Sequence, residues 1–506
     1  MSDYSLEQEQ KPIWSSDTAL LIGIALVTVV VHWITGHQYG FQRDELATLE
    51  DSRHLDWGFV AYPPLTPLFG RLSLILFGTS LTGFRFFAAM AEAVALVLTG
   101  LMARVLGGHR GAQLLAAFAA LPFCIGGGAL MQYVSFDYLF WVLAAYFVIK
   151  LRASDDPRWW LGIGASIGLG MQSKYTMGFL AIGIVAAVVL TDARKFLGNK
   201  WLWYGVGLSI LIFLPNLVWQ ARNHFISLDF LSQIHSRDVR MGRAKNFLPE
   251  QLEITLFGFF IFLSGLYSTL VSRDGKRYRM LGWMYLIPLA LLVVAKGRAY
   301  YLAGAYPALY AAGSVRIEYL LSRMGKVIRN VLRILFWTAM FVDVAVTISF
   351  TLPIAPVNSV WAYRAFEVNG DFREEIGWPE LVETVAKIRD SLPAEDRAHL
   401  GIMASNYGEA GAINLYGPQY GLPPIISGVN SFWQRGYGDP PPQTVIALGQ
   451  HLDYLQTQFV SCQLAAHSWN RFGIANEETV DHPDIFVCRT LRRPWPEFWK
   501  TARHFG

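Results

Sequence analysis

Shortly after the first apolar run of this chain stand Arg43, Asp44 and Glu45. Two adjacent carboxylates beside an apolar segment can coordinate a divalent cation, or one can act as a general base. The same pair also suits the first turn of a helix running on through Leu46, Ala47, Leu49 and Glu50, where negative charge meets unpaired N–H groups. Asp137, in the run MQYVSFDYLFWVL, opens an apolar helix. A carboxylate at bilayer depth is costly unless paired, so Asp137 is a functional candidate, with helix capping as the alternative. Lys174 in SKYTMGFL, and Lys296 and Arg298 in KGRAYYLAGAYP, fall in tight turns. Each alone reads as a snorkelling anchor. Taken with the carboxylates at the same level, they suit a phosphate group carried by a lipid.

What must position these residues is a membrane. The chain has 506 residues, 53% apolar and 16% charged; soluble domains carry about 25% charged residues. Runs of the required length, roughly 20 residues, fall near 18–36, 82–104, 111–131, 137–151, 158–171, 175–191, 201–221, 251–271, 279–296, 299–318 and 331–352. The first follows a polar start without a small-residue cleavage site and reads as a retained helix. The expected fold is therefore an α-helical polytopic membrane protein of eleven spans. Lys and Arg concentrate in alternate loops, which belong inside; the N-terminus is then cytoplasmic, and the loop 37–81 and the tail 353–506 lie outside. One outside loop breaks this rule: 222–250 holds Arg222, Arg237, Arg240, Arg243 and Lys245. It is either a solvated loop or a surface that receives phosphate. Arg85, Glu92 and Asp343 fall within spans and read as interior structural groups.

The charge balance divides the chain in two. Residues 353–506 carry twelve Lys and Arg against seventeen Asp and Glu, leaving thirty against twenty-one for 1–352. No basic patch interleaved with aromatics points to nucleic acid. The tail reads as a small α/β domain, with helices at 380–392 and 409–416 and strands at 399–404 and 484–488. Cys124, Cys462 and Cys488 form no C-x-x-C pair, so zinc and redox motifs are unsupported. A disulfide between Cys462 and Cys488 is chemically permitted outside the cell, although spacing alone does not establish it. Trp433 and Arg435 could contact a sugar or pack internally.

Several separated segments carry a resemblance: QYGFQRDEL at 38–46, HLDWGFVAYPPLTPLFGRL at 54–72, VSFDYLFW at 134–141, GLGMQSKYTMGFL at 168–180, KGRAYYLAGAYPAL at 296–309 and NYGEAGAINLYGPQYGLPPIISGVNSFW at 406–433. In this order they resemble the GT-C membrane glycosyltransferases, in the family 39 group similar to protein O-mannosyltransferases and the lipid A aminoarabinose transferase. The resemblance implies a GT-C module over 1–352 and a periplasmic domain over 353–506 in a bacterial inner membrane. It implies transfer of a sugar from a polyprenyl-phosphate donor to a glycan, lipid or protein acceptor. By the same comparison Asp44 is catalytic with Glu45 beside it, and Asp137 is a second or cation-linked carboxylate. Arg43, Tyr62, Lys174, Lys296, Arg298, Tyr300 and Tyr301 fall to substrate binding. A divalent metal on Asp44, Glu45 and Asp137 is an open expectation. Relatives often carry His or Lys where this chain has Tyr62, which points to a different sugar or acceptor. The competing reading is a transporter or assembly protein for lipid-linked sugars, which would need polar groups lining a path through the bilayer.

Overall fold

The computed structural model describes residues 16–506. Helix α1 (Ser16–Thr35) is followed by two short helices of the first loop, α2 (Arg43–Arg53) and α3 (Leu65–Phe77). The bundle continues with α4 (Leu81–Val105), α5 (Arg110–Gly127), α6 (Tyr133–Ser154), α7 (Trp159–Ser173), α8 (Met177–Leu190) and α9 (Lys200–Arg222). Next come α10 (Ile226–Arg240), α11 (Phe247–Thr255), α12 (Gly258–Leu270), α13 (Arg279–Val294), α14 (Tyr306–Ser322) and α15 (Lys326–Thr351).

The count of eleven spans is not confirmed. Among the described residues seven helices are long and apolar enough to cross a membrane: α1, α4, α5, α6, α9, α15 and the stretch Lys276–Val294, which is α13 with the turn that precedes it. The number rises to nine if each of two sharply bent pairs is one span. Helix α7 has 15 residues, too short for a straight crossing, and α14 has 17, at the lower limit. The run read at 251–271 is broken where Leu256 turns into the left-handed region, so α11 and α12 meet at 104°. The break exposes backbone donors, and Asp343 on α15 accepts one of them, from Phe257 N at 3.2 Å. That contact explains a carboxylate inside an apolar helix: a buried polar group needs a partner.

The C-terminal part adds α16 (Val360–Val368), α17 (Trp378–Ser391), α18 (Ala394–Ala398) and α19 (Tyr407–Tyr416) around a five-stranded sheet. Its strands are β1 (Leu400–Ala404), β2 (Ile425–Ile426), β3 (Thr444–Leu448), β4 (Phe459–His467) and β5 (Asp484–Leu491), in the order β2-β1-β3-β5-β4. The first three strands run parallel and β5 pairs antiparallel with both β3 and β4. Cys462 and Cys488 face each other across the β4–β5 pair and are joined as a disulfide. Replacing both by alanine should lower the stability of this sheet by about 3 kcal/mol, chiefly by freeing the loop between them in the unfolded chain. Denaturant unfolding with and without reductant checks this, the variant being insensitive to reductant.

Helix α19 lies directly on α2. A side chain at Gly411 would place its Cβ 2.6 Å from Leu46 Cβ, so only glycine allows the approach. Two carboxyls of the C-terminal part are buried, Glu375 and Glu409. Burial pushes Glu375 up to about 8, against the pull of Arg85, and pushes Glu409 up to about 8, with Glu478 adding to it. Such groups bind a proton when folded that the unfolded chain releases near 4.5. Stability contributed by the protonated form is therefore lost as pH rises from about 4.5 through about 8. Glu409→Gln, which keeps shape without charge, should flatten the fall in melting temperature across that window. An unchanged profile would count against the assignment.

Candidate functional site

Local sequence sets the direction of each carboxylate on α2. The Gln42 side chain caps the helix by accepting from Asp44 N at 2.6 Å, and Glu45 reaches back to accept from Gln42 N at 3.0 Å. This reciprocal cap fixes the first turn. Residues three, four and seven apart then share a face, and Asp44, Ala47, Thr48 and Asp51 line one cavity of about 470 Å³. Glu45 leaves in another direction. It accepts from Arg85 Nη2 at 2.6 Å and from Met131 N at 2.8 Å, and it is fully buried. Glu45, expected to be catalytic, is instead a helix cap and ion-pair partner that joins α2 to α4. Arg85, read as structural, is that partner, and it also donates to Glu375 at 3.1 Å.

Asp44 stays available. It is half-buried on the cavity wall, where Gln132 Nε2 approaches it at 3.4 Å. Tyr407 of α19 faces it, and burial with the Asp44 charge holds the Tyr407 hydroxyl well above its ordinary range. Arg43 is not part of the cavity wall. It pairs with Glu477 and with Glu374 at 3.7 Å, and its guanidinium lies 5.1 Å from the Tyr407 ring centre. Arg43 thus ties α2 to the C-terminal part and positions Tyr407.

The cations gather opposite. Lys174, at the end of α7, places its ammonium 4.5 Å from the Tyr133 ring, 4.6 Å from Tyr300 and 4.1 Å from Tyr301. Among the described residues its Nζ makes no hydrogen bond. Ring faces attract the ammonium without satisfying its three donors. Asp137 lies beside Lys174 but outside the cavity lining, and one of its oxygens accepts from Thr176 Oγ1 at 2.8 Å. Lys296 is exposed at the rim, in a left-handed turn. Arg298 also reaches the cavity, but it is held by Asp238 at 2.6 Å and 3.2 Å.

The basic segment 222–250 is mostly helix α10, and Phe230, Leu231, Ile234, His235, Arg237 and Asp238 from it form one wall. That wall is apolar toward the middle and charged toward its C-terminal end. Tyr62 lines the cavity as well, donating to Asp51 at 2.7 Å, while Arg435 of the C-terminal part pairs with the same carboxylate. Burial pushes both the Asp51 carboxyl and the Tyr62 hydroxyl up. Asp51 escaped the sequence reading, although its seven-residue spacing from Asp44 was a signal. Trp433 donates to Trp499 O at 3.0 Å and packs internally.

The residues expected to hold a divalent metal do not come together. Among the described residues no group of three or more His, Cys, Asp or Glu could hold a metal ion. Glu45 is committed to Arg85, and Asp137 lies next to a lysine.

A family model described as dolichyl-phosphate-mannose-protein mannosyltransferase matches residues 61–219. The undecaprenyl phosphate-alpha-4-amino-4-deoxy-L-arabinose arabinosyl transferase 1 of Pseudomonas fluorescens (strain Pf0-1) is 24% identical over 276 residues. That match covers 50% of this chain and 48% of the relative, so the chain spans about half the length of the curated relative. Among solved structures, ArnT from Cupriavidus metallidurans bound to undecaprenyl phosphate superposes with a TM-score of 0.58 at 14% identity, covering 93% of this chain and 97% of that one. The apo form of the same protein gives 0.57 at 15% identity with the same coverage. The fold is thus the ArnT-like fold of a multi-pass membrane protein.

Proposed function

We propose that this chain, aminoarabinose transferase-like in fold and in sequence, transfers a sugar from a polyprenyl-phosphate donor to a hydroxyl acceptor. The observation that carries the reading is one cavity with a carboxylate that forms no ion pair among the described residues, Asp44, on one wall and a hydrogen-bond-free ammonium, Lys174, on another. Phosphate supplies the acceptors that Lys174 lacks, and charge-assisted hydrogen bonds are the strongest of their kind. The apolar face of α10, with Phe179 and Leu292, suits the first isoprene units of a lipid tail.

In this reading the acceptor oxygen attacks the anomeric carbon while the bond from that carbon to the phosphate oxygen breaks. Asp44 takes the acceptor proton as the oxygen becomes a glycosidic bridge. Lys174, with Lys296 and Arg298, stabilises the charge left on the polyprenyl phosphate. A single displacement inverts the anomeric centre. The arrangement favours this over a transport path, because Asp44, Lys174 and Lys296 meet in a single cavity. The proposed orientation puts the cavity and the C-terminal part on the periplasmic side of a bacterial inner membrane. Lipid, glycan and protein acceptors remain the classes to be distinguished.

Mass spectrometry of envelope glycolipids and polyprenyl-phosphate sugars tests the proposal in cells carrying Asp44→Asn. A lipid-linked sugar should accumulate while one envelope component loses a matching residue. An unchanged envelope with the variant stably inserted would return Asp44 to a structural role.

A further inference from the structure

A second cavity, of about 370 Å³, lies at the opposite end of the bundle from the candidate site, between α5, α14 and α15. Helix α15 packs mainly on α5 and little on α14. The cavity walls are apolar: Leu115 from α5, Ile317 from α14, and Phe336 and Trp337 from α15. Its rim is cationic. Arg110 and Arg333 line it, and Arg329 stands one turn before Arg333 on α15. Arg110 is engaged by Asp17 at 2.6 Å, but among the described residues Arg329 and Arg333 form no ion pair with a carboxylate, and the Arg329 Nε is buried without a hydrogen-bond partner. The lone lining carboxylate, Glu318, is occupied as a cap, accepting from His109 N at 2.9 Å and Ala112 N at 3.1 Å. Deeper in, the Ser314 hydroxyl lines the cavity fully buried and without a hydrogen-bond partner.

We propose that this wedge binds one anionic phospholipid, its phosphate held by Arg333 and Arg329 and one acyl chain lying against Phe336 and Trp337. The shape, an apolar cleft open to the bilayer, is matched by an acyl chain. The charge is matched by a phosphodiester, since neutral lipid would leave two arginines uncompensated beside an apolar surface. An ester carbonyl at the depth of Ser314 would accept from its hydroxyl, which otherwise has lost water without gaining a partner. The site is independent of the proposed transfer reaction and of Asp44.

The test is native mass spectrometry of the full-length protein in detergent, titrated separately with phosphatidylglycerol and phosphatidylethanolamine. The wild type should retain one phosphatidylglycerol at collision energies that strip phosphatidylethanolamine. Arg329→Gln with Arg333→Gln should weaken that adduct about tenfold, and Ser314→Phe should remove it by filling the cleft. Arg364→Gln, at an exposed arginine on α16, should leave it intact and controls for generic charge. Ser314→Phe risks misfolding, so the arginine pair on the outer face carries the decision. Equal retention of the two lipids, or an adduct unaffected by the arginine pair, overturns the proposal. A dimer without lipid adduct also overturns it, by making a second copy the occupant.

Discussion

Asp44→Asn should lower transfer by about a thousandfold, the middle of the range for losing a general base, while leaving the protein folded. The cap explains why the fold survives. Gln42 and Glu45 hold the first turn of α2 through Asp44's backbone N–H and their own groups, and the Asp44 side chain takes no part in it. Asparagine preserves shape and the approach of Gln132, removing only basicity. The substitution should therefore reduce kcat far more than it raises KM for the donor. The contrasting variant is Glu45→Gln. It leaves Arg85 with a neutral amide in place of a carboxylate, so its effect should appear as lost stability, a weakened buried ion pair being strongly destabilising. Thermal stability and turnover of the two variants separate the roles: Asp44→Asn stable and inactive, Glu45→Gln destabilised.

Lys174→Met should lower turnover by about a hundredfold to a thousandfold, as expected for removal of a group aimed at developing charge. Methionine fills the space among Tyr133, Tyr300 and Tyr301, so the ring cage should persist. Lys174→Arg should not rescue, because a planar guanidinium does not fit where three rings surround a compact ammonium. Single-turnover measurements at saturating donor check this. A variant with normal chemistry and only weakened donor binding would assign Lys174 to ground-state binding instead.

The membrane character was legible in the sequence because apolar runs report it directly. The span count was not, because hydropathy does not show where a helix stops short or breaks. The run at 251–271 reads as continuous, and only the left-handed Leu256 and the Asp343 contact reveal the corner. Two of the tail's helices, at 380–392 and 409–416, and the strands β1 and β5 were found from their residue patterns. Strand β3, five consecutive buried residues, gives no alternation to recognise. At the site, the turns holding Lys174, Lys296 and Arg298 do converge on the cavity that Asp44 lines. The adjacent carboxylates Asp44 and Glu45 diverge, since neighbours on a helix point about 100° apart. Arg43, Arg435 and Asp238 act through contacts between segments far apart in the chain, for which local spacing carries no signal.

The most direct measurement is release of polyprenyl phosphate by the purified protein. Membrane extract supplies lipid-linked sugars and acceptors, and liquid chromatography with mass spectrometry follows both lipid forms. The account predicts that the wild type converts one sugar-linked form to free polyprenyl phosphate, with the sugar appearing on an acceptor, and that Asp44→Asn does neither. Equal amounts of free polyprenyl phosphate with wild type and Asp44→Asn, from stably folded protein, would contradict it.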